Sequence, residues 1–237
     1  DAVHAIAAAA RDRHPGTLAV LFYGSCLRSG SDEGGLVDLY LLVESYRQAH
    51  RNPLSALGNR LLPPNVYYIE TAFEGRTVRA KYAVVTLSAL ETLVTARTFH
   101  PYFWARFAQP TGLLWSDGEQ TTGRVNKLLA RAVNTLARES RPLLESYGGP
   151  QDLFIRAFAE TYRTELRAEG ASRAAELVAH YETRYRRLGA ILLRELPNPG
   201  PRDRARAQRQ WRGRRLLGKF LSVARLTKAA FTFAGGQ

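Results

Sequence analysis

Sulfur is nearly absent: one cysteine and no methionine in 237 residues. A lone cysteine excludes an intramolecular disulfide and any cysteine cluster for zinc, which fits a reducing compartment. No apolar run reaches the eighteen or so residues that a spanning helix needs, and nothing at the start reads as a signal peptide. A soluble or peripheral protein is therefore expected. The chain starts at Asp1 without Met and stops at Gln237, which points to a processed or truncated piece. Acidic residues are scarce, with 21 Asp plus Glu against 34 Lys plus Arg, so the net charge is +13. Such a balance predicts attraction to a polyanion, whether nucleic acid, nucleoside triphosphate or anionic lipid. Composition does not choose among them. Hydrophobic residues at 45% and charged residues at 23% are ordinary for a globular protein. The length allows one large domain or two small ones.

The most informative stretch is Leu18 to Glu44, LAVLFYGSCLRSGSDEGGLVDLYLLVE. Leu18 to Phe22 reads as a buried strand stopped by Gly24-Ser25. In the next apolar run Val37, Leu39, Leu41 and Val43 alternate with Asp38, Tyr40 and Leu42, so the two sets face opposite sides of a strand. An aspartate on such a strand costs several kcal/mol or so unless a metal or cation compensates it. Asp38 is thus a candidate metal or cation ligand.

A small-residue turn after one strand and a carboxylate on the next resembles nucleotidyltransferases of the DNA polymerase β type, in which turn amides approach a nucleoside triphosphate and strand carboxylates hold Mg²⁺. That pattern has a second carboxylate two residues on, where this chain has Tyr40. The departure directs attention to a subfamily. Tyr23-Gly24-Ser25, Val37-Asp38-Leu39, Pro64-Asn65-Val66-Tyr67-Tyr68, Lys81-Tyr82-Ala83-Val84-Val85, and Tyr102-Phe103-Trp104-Ala105-Arg106 with Gln109-Pro110 follow in order over the first half of the chain. In these blocks the chain resembles the mitochondrial-type phosphatidate cytidylyltransferases, the CDP-diacylglycerol synthases of the translocator assembly and maintenance family. The resemblance implies an α+β fold: a polymerase β-type domain with a mixed sheet, then a mainly helical part that sits on membrane. It implies CTP plus phosphatidate giving CDP-diacylglycerol and pyrophosphate, with Mg²⁺. Tyr23, Gly24, Ser25 and Arg106 would hold nucleotide, Asp38 and Lys81 would act at the reacting phosphate, and Asp38 with Glu70 would carry the metal. Cys26, Ala83 and Gln109 depart from the family pattern, and the last removes an expected cation.

Elsewhere, residues 1 to 13 predict a helix, and His4 and His14 read as surface residues. Arg28 to Gly35 reads as a polar loop that either flanks a nucleotide through Asp32 and Glu33 or is only a flexible hairpin. Pro53 to Leu62 predicts a short amphipathic helix, and Val66 to Thr71 and Thr77 to Val85 predict strands. Glu70 is a metal ligand or base in one reading and a solvated strand-end residue in the other. Lys81 is a phosphate contact or an edge-strand lysine. Ser88 to Arg97 predicts a helix capped by Thr86 or Ser88. Arg106, among five aromatics in Phe99 to Gln109, needs an anion: a phosphate, with Arg97 and His100 helping, or a structural carboxylate.

From Glu119 the chain reads helical, with segments Thr122 to Leu144, Leu153 to Ala168 and Ala171 to Glu195. The third carries a packing stripe of Leu177, Tyr181, Arg184, Leu188 and Leu192, widened by Val178, Tyr185 and Ile191. Residues 202 to 217 hold seven arginines with Trp211. Phe220, Leu221, Val223, Ala224, Leu226 and Phe231 follow among Lys219, Arg225 and Lys228. This segment describes a helix in a membrane interface, with a self-packed helix and a nucleic-acid-binding tail as alternatives. The expected divisions are a nucleotidyltransferase domain at 1–116, a helical domain at 117–200 and a basic amphipathic segment at 201–237. Other readings are transfer of a nucleotide to RNA, a sugar or a protein, and a catalytically silent module that binds RNA or membrane. Richness in arginine and alanine points to a bacterial source, with the protein on the cytoplasmic face of the inner membrane; in a eukaryote it would be the matrix face of mitochondria.

Overall fold

A computed structural model describes residues 1–32, 34–145, 147–165 and 170–234, except for the side chains of 170, 171, 225, 226 and 228–234. The architecture is α+β. In order the elements are α1 (Ala2–Asp12), β1 (Thr17–Tyr23), α2 (Ser25–Ser29), β2 (Val37–Val43), α3 (Tyr46–Ala49), α4 (Pro53–Leu61), β3 (Asn65–Phe73), β4 (Arg76–Thr86), α5 (Leu87–Leu93), α6 (Tyr102–Phe107), β5 (Gly112–Ser116), α7 (Glu119–Ser140), α8 (Pro150–Tyr162), α9 (Gly170–His180), α10 (Glu182–Glu195) and α11 (Pro201–Ala234). The chain divides into two compact units. The first comprises Asp1–Thr92, Gln109–Leu128 and the described end of α11 from Ala224; the second comprises Leu93–Ala108 and Leu129–Val223.

The first unit is built on a five-stranded sheet of order β3-β4-β2-β1-β5, in which β2 and β4 run parallel and every other pair antiparallel. The alternation predicted for β2 is observed. Val37, Leu39, Leu41 and Val43 join Val20, Phe22, Val84 and α1 residues Ile6 and Ala10 in one apolar cluster. Asp38, Tyr40 and Leu42 face the other way, and every residue of β2 is buried. A strand buried on both faces must be apolar nearly throughout, so Asp38 stands out by position as well as by chemistry.

His14, expected at the surface, is buried on the α1 side of the sheet. Its Nδ1–H donates to the Ala49 carbonyl at 2.8 Å, and its Nε2 lies 3.1 Å from the Tyr82 hydroxyl. His50 joins the same layer, with Nδ1 3.2 Å from the Tyr67 hydroxyl and Nε2 2.9 Å from Asn59 Nδ2. Burial holds His14 below its usual value and pushes the Tyr82 hydroxyl up to about 12. The partners come from 35 and 68 residues away, which is why local sequence reads His14 as solvated.

In the second unit, α8 and α10 pack around Tyr185, which is fully buried between Phe154 and Phe158 at ring distances of 4.8 and 5.6 Å. The third expected helix is broken at Tyr181 into α9 and α10. Its stripe is buried at Leu177, Val178, Tyr185 and Leu192, whereas Ile191 is exposed. Ala168 lies outside the described residues. Trp211 is core, as the self-packed alternative has it and not the membrane boundary: it is fully buried and donates its indole N–H to the Glu139 carbonyl at 3.0 Å. Arg214 is buried with it, paired with Glu139 and set among the rings of Phe99, Trp104 and Trp211. Leu216, Leu217, Phe220 and Val223 of the same helix are exposed, and the side chains of Arg225, Leu226, Lys228 and Phe231 lie outside the described residues. Among the described residues no helix is long and apolar enough to cross a membrane.

Candidate active-site corner

The corner is made where β1 ends. Tyr23 is the antiparallel partner of Asp38, and the chain turns at Gly24 with φ 89° and ψ −156°, a conformation essentially restricted to glycine. A Cβ at Gly24 would overlap the Asp38 carboxylate at Oδ2. The glycine therefore lets the backbone lie directly against the acid. The chain then enters α2, a five-residue helix whose last two residues open the stretch that reads as a polar loop, closed by Arg28 N–H to Gly24 O at 3.2 Å and Gly30 N–H to Cys26 O at 3.0 Å. Ser25, its first residue, is exposed.

Strand register supplies the second partner. Asp38 on β2 is level with Lys81 on β4, and Lys81 with Tyr68 on β3, so the three share one row on one face. Lys81 Nζ lies 3.0 Å from Asp38 Oδ1; the acid's side chain is 12% exposed and the lysine's 45%. The contact has the distance of a hydrogen bond without its direction, since buried Oδ1 accepts no hydrogen bond among the described residues. A carboxylate offers roughly four acceptor positions, and those of Oδ1 take up no hydrogen bond among the described residues. Tyr40, where a second acid would stand, is fully buried with its ring 5.2 Å from that of Tyr23.

Glu70 shares the sheet face but not the row. It pairs with Arg79, two strands and one row from Asp38, which by ordinary strand spacing separates their Cα atoms by roughly 12 Å. Its Oε1 takes the Tyr68 hydroxyl at 2.5 Å and Arg79 Nε at 3.0 Å, and these two hydrogen bonds hold its carboxyl below the usual range. The structure does not bring Glu70 to Asp38. Tyr68, on the same strand face as Glu70 and in the row of Asp38 two strands away, turns its hydroxyl to Glu70. Arg106 belongs to the second unit, in α6, half-buried with its guanidinium 5.9 Å from the Tyr102 ring. In that unit Arg97 is exposed, and His100 is buried with Nδ1 accepting the Tyr102 N–H.

Two further groups define the corner. Asp32 forms a 2.7 Å ion pair with Arg76, which holds its carboxyl below the usual range; Glu33 lies outside the described residues. Cys26 is buried against Gly35 and points its thiol at the Leu36 carbonyl. Burial, and then the charge of Asp38, push that thiol up.

Among the described residues no three His, Cys, Asp or Glu side chains gather to hold a metal. Magnesium does not demand such a cage, since it is bound through one or two carboxylates with the remaining positions filled by water and substrate phosphates. Asp38, with spare acceptor capacity beside a backbone turn, fits the one-carboxylate form. The corner thus sets one carboxylate, Asp38, and one cation, Lys81, beside the Gly24 backbone. No protein-family model matches the chain, and no curated protein matches it.

Proposed function

We propose that the protein is a nucleotidyltransferase whose acceptor is a lipid phosphate: a phosphatidate cytidylyltransferase converting CTP and phosphatidate to CDP-diacylglycerol and pyrophosphate. The observation that carries the reading is the close approach of the Gly24 backbone to Asp38, with Lys81 at 3.0 Å from the same carboxylate. A backbone opened by glycine, one acid and one cation in a single corner suit a triphosphate better than a neutral ligand.

In this reading the Gly24-Ser25 backbone and Lys81 bind and orient the triphosphate, and the Tyr23 ring bounds the corner. Asp38 would hold Mg²⁺, which would supply neutralisation of the charge developing on the leaving pyrophosphate. Lys81, half-exposed and on a flexible stem, can turn from Asp38 to a phosphate oxygen without leaving the sheet face. The acceptor phosphate is already ionised at neutral pH and attacks the α-phosphorus directly. No general base is required, which suits a site with a single acid. Positioning and charge neutralisation supply the rate. Glu70 would stay outside the reacting centre. The place of action would be the inner face of a bacterial cytoplasmic membrane.

A second reading has one observation in its favour. Tyr40 fills the second acid's place as buried core, as in a nucleotidyltransferase-type module that binds nucleotide without turnover. The two separate in one assay: the protein, CTP, Mg²⁺ and phosphatidate in mixed micelles. Pyrophosphate release that depends on phosphatidate, and is lost in Asp38→Ala, supports the enzyme. CTP binding without release supports the silent module, and release only with a soluble acceptor such as RNA contradicts the lipid substrate.

A further inference from the structure

Helix α4 is turned inside out. Its one fully buried side chain is polar Asn59, whereas Leu54, Leu57 and Leu61 are 75%, 53% and 74% exposed. The three leucines stand at i, i+3 and i+7, one stripe on a helix, and Asn59 falls on the opposite side. The orientation is fixed from within. Asn59 donates through Nδ2 to the Val84 carbonyl at 3.0 Å and to His50 Nε2 at 2.9 Å, and its Oδ1 accepts the Asn65 N–H at 2.8 Å. Asn52 caps the helix through the Leu54 N–H at 2.8 Å. Rolling the leucines inward would strand these buried groups, so the apolar stripe is held outward by the fold itself.

The charged residues of the segment that carries the stripe, 45 to 69, are all basic. Arg47, Arg51 and Arg60 are exposed, and residues 45 to 69 contain neither Asp nor Glu. An outward leucine stripe beside arginines, with no acid in the segment, matches a surface that is apolar beneath and negative above. We propose that α4 is a membrane-docking helix, its leucines entering the acyl boundary of an anionic bilayer and Arg47, Arg51 and Arg60 meeting the headgroups. The inference does not rest on nucleotidyl transfer, because docking needs neither CTP nor a metal, and it is separate from the exposed stretch of α11.

The test uses the full chain with vesicles of phosphatidylcholine alone and of phosphatidylcholine mixed with phosphatidylglycerol. The environment-sensitive dye NBD is attached through Leu57→Cys, with the parent chain as blank because Cys26 is buried. Emission at position 57 is expected to rise on the anionic vesicles only. The variant L54S/L57S/L61S is expected to sediment with them about tenfold less or weaker still while melting at the parent temperature. The proposal is overturned if the chain sediments with anionic vesicles while the dye at 57 does not respond, since another surface then binds. It is equally overturned if the triple variant partitions as the parent does, if neutral vesicles bind as well as anionic ones, or if the chain is a dimer that the triple variant splits, in which case a second copy covers the leucines.

Discussion

The two faces of the sheet in the first unit bury polar side chains in opposite ways. On the α1 face, both ring nitrogens of His14 and of His50, and both ends of the Asn59 amide, are engaged in hydrogen bonds. On the other face Asp38, nearly as buried as His14, has a half-exposed lysine as its ion-pair partner and an oxygen that accepts no hydrogen bond among the described residues. Burial alone therefore does not mark a site. What separates the faces is bonding capacity: the histidine layer consumes its own and stabilises the fold, whereas one oxygen of the aspartate accepts no hydrogen bond among the described residues.

The contrast is sharpest in Asp38→Asn, which removes the charge and keeps the shape. Phosphatidate-dependent pyrophosphate release is expected to fall about a hundredfold or more, with thermal stability equal to or above that of the parent. A large drop in melting temperature would place Asp38 with the structural groups. Gly24→Ala comes next, because it forces a side chain into a glycine-only conformation and against the Asp38 carboxylate. It is expected to lose CTP binding by calorimetry and about 1–3 kcal/mol of stability by denaturant titration. His14→Phe is expected to do the reverse, costing about 2–3 kcal/mol by stranding the Ala49 carbonyl and the Tyr82 hydroxyl while leaving CTP affinity in the surviving folded protein unchanged.

The sign of the pH dependence follows from His14. Burial holds it below the ordinary value of 6.5, so the unfolded chain takes up its proton first as pH falls. Its contribution is complete above pH 6.5 and is lost progressively below. The parent should therefore lose stability on acidification from that point, and His14→Phe should lose less. The smallest effect belongs to Glu70→Gln. This exposed acid is paired with Arg79 at the same 3.0 Å that separates Lys81 from Asp38, but in solvent. Turnover is expected to stay within about twofold of the parent.

Much of this organisation is legible in the residues themselves. The strict alternation from Val37 to Val43 predicts both the strand and the face of Asp38, because the period of two is set by local backbone geometry. Thr86, one of two expected caps for the helix that follows β4, is the one that accepts the Ala89 N–H. What escapes the sequence is whatever depends on distant partners. His14 reads as surface because its hydrogen bonds come from α3 and β4. The Pro53–Leu61 helix is legible as amphipathic, but periodicity says that a helix has an apolar side, not that the side faces the core; Asn59 decides that through Val84 and His50. Glu70 looks like the acid that would complete a metal site until the register places it two strands and one row away beside Arg79. Trp211 shows the same limit in the second unit, where an indole among seven arginines reads as interfacial and is in fact held in the core by Glu139.

The most direct test puts a paramagnetic reporter into the corner. With Mn²⁺ and CTP added to isotope-labelled protein, the amide signals of Gly24 and Ser25 should broaden strongly in the parent and remain sharp in Asp38→Asn. Broadening that survives in Asp38→Asn, or that spares these two amides in the parent, would contradict Asp38 as the group that brings nucleotide and metal to the turn.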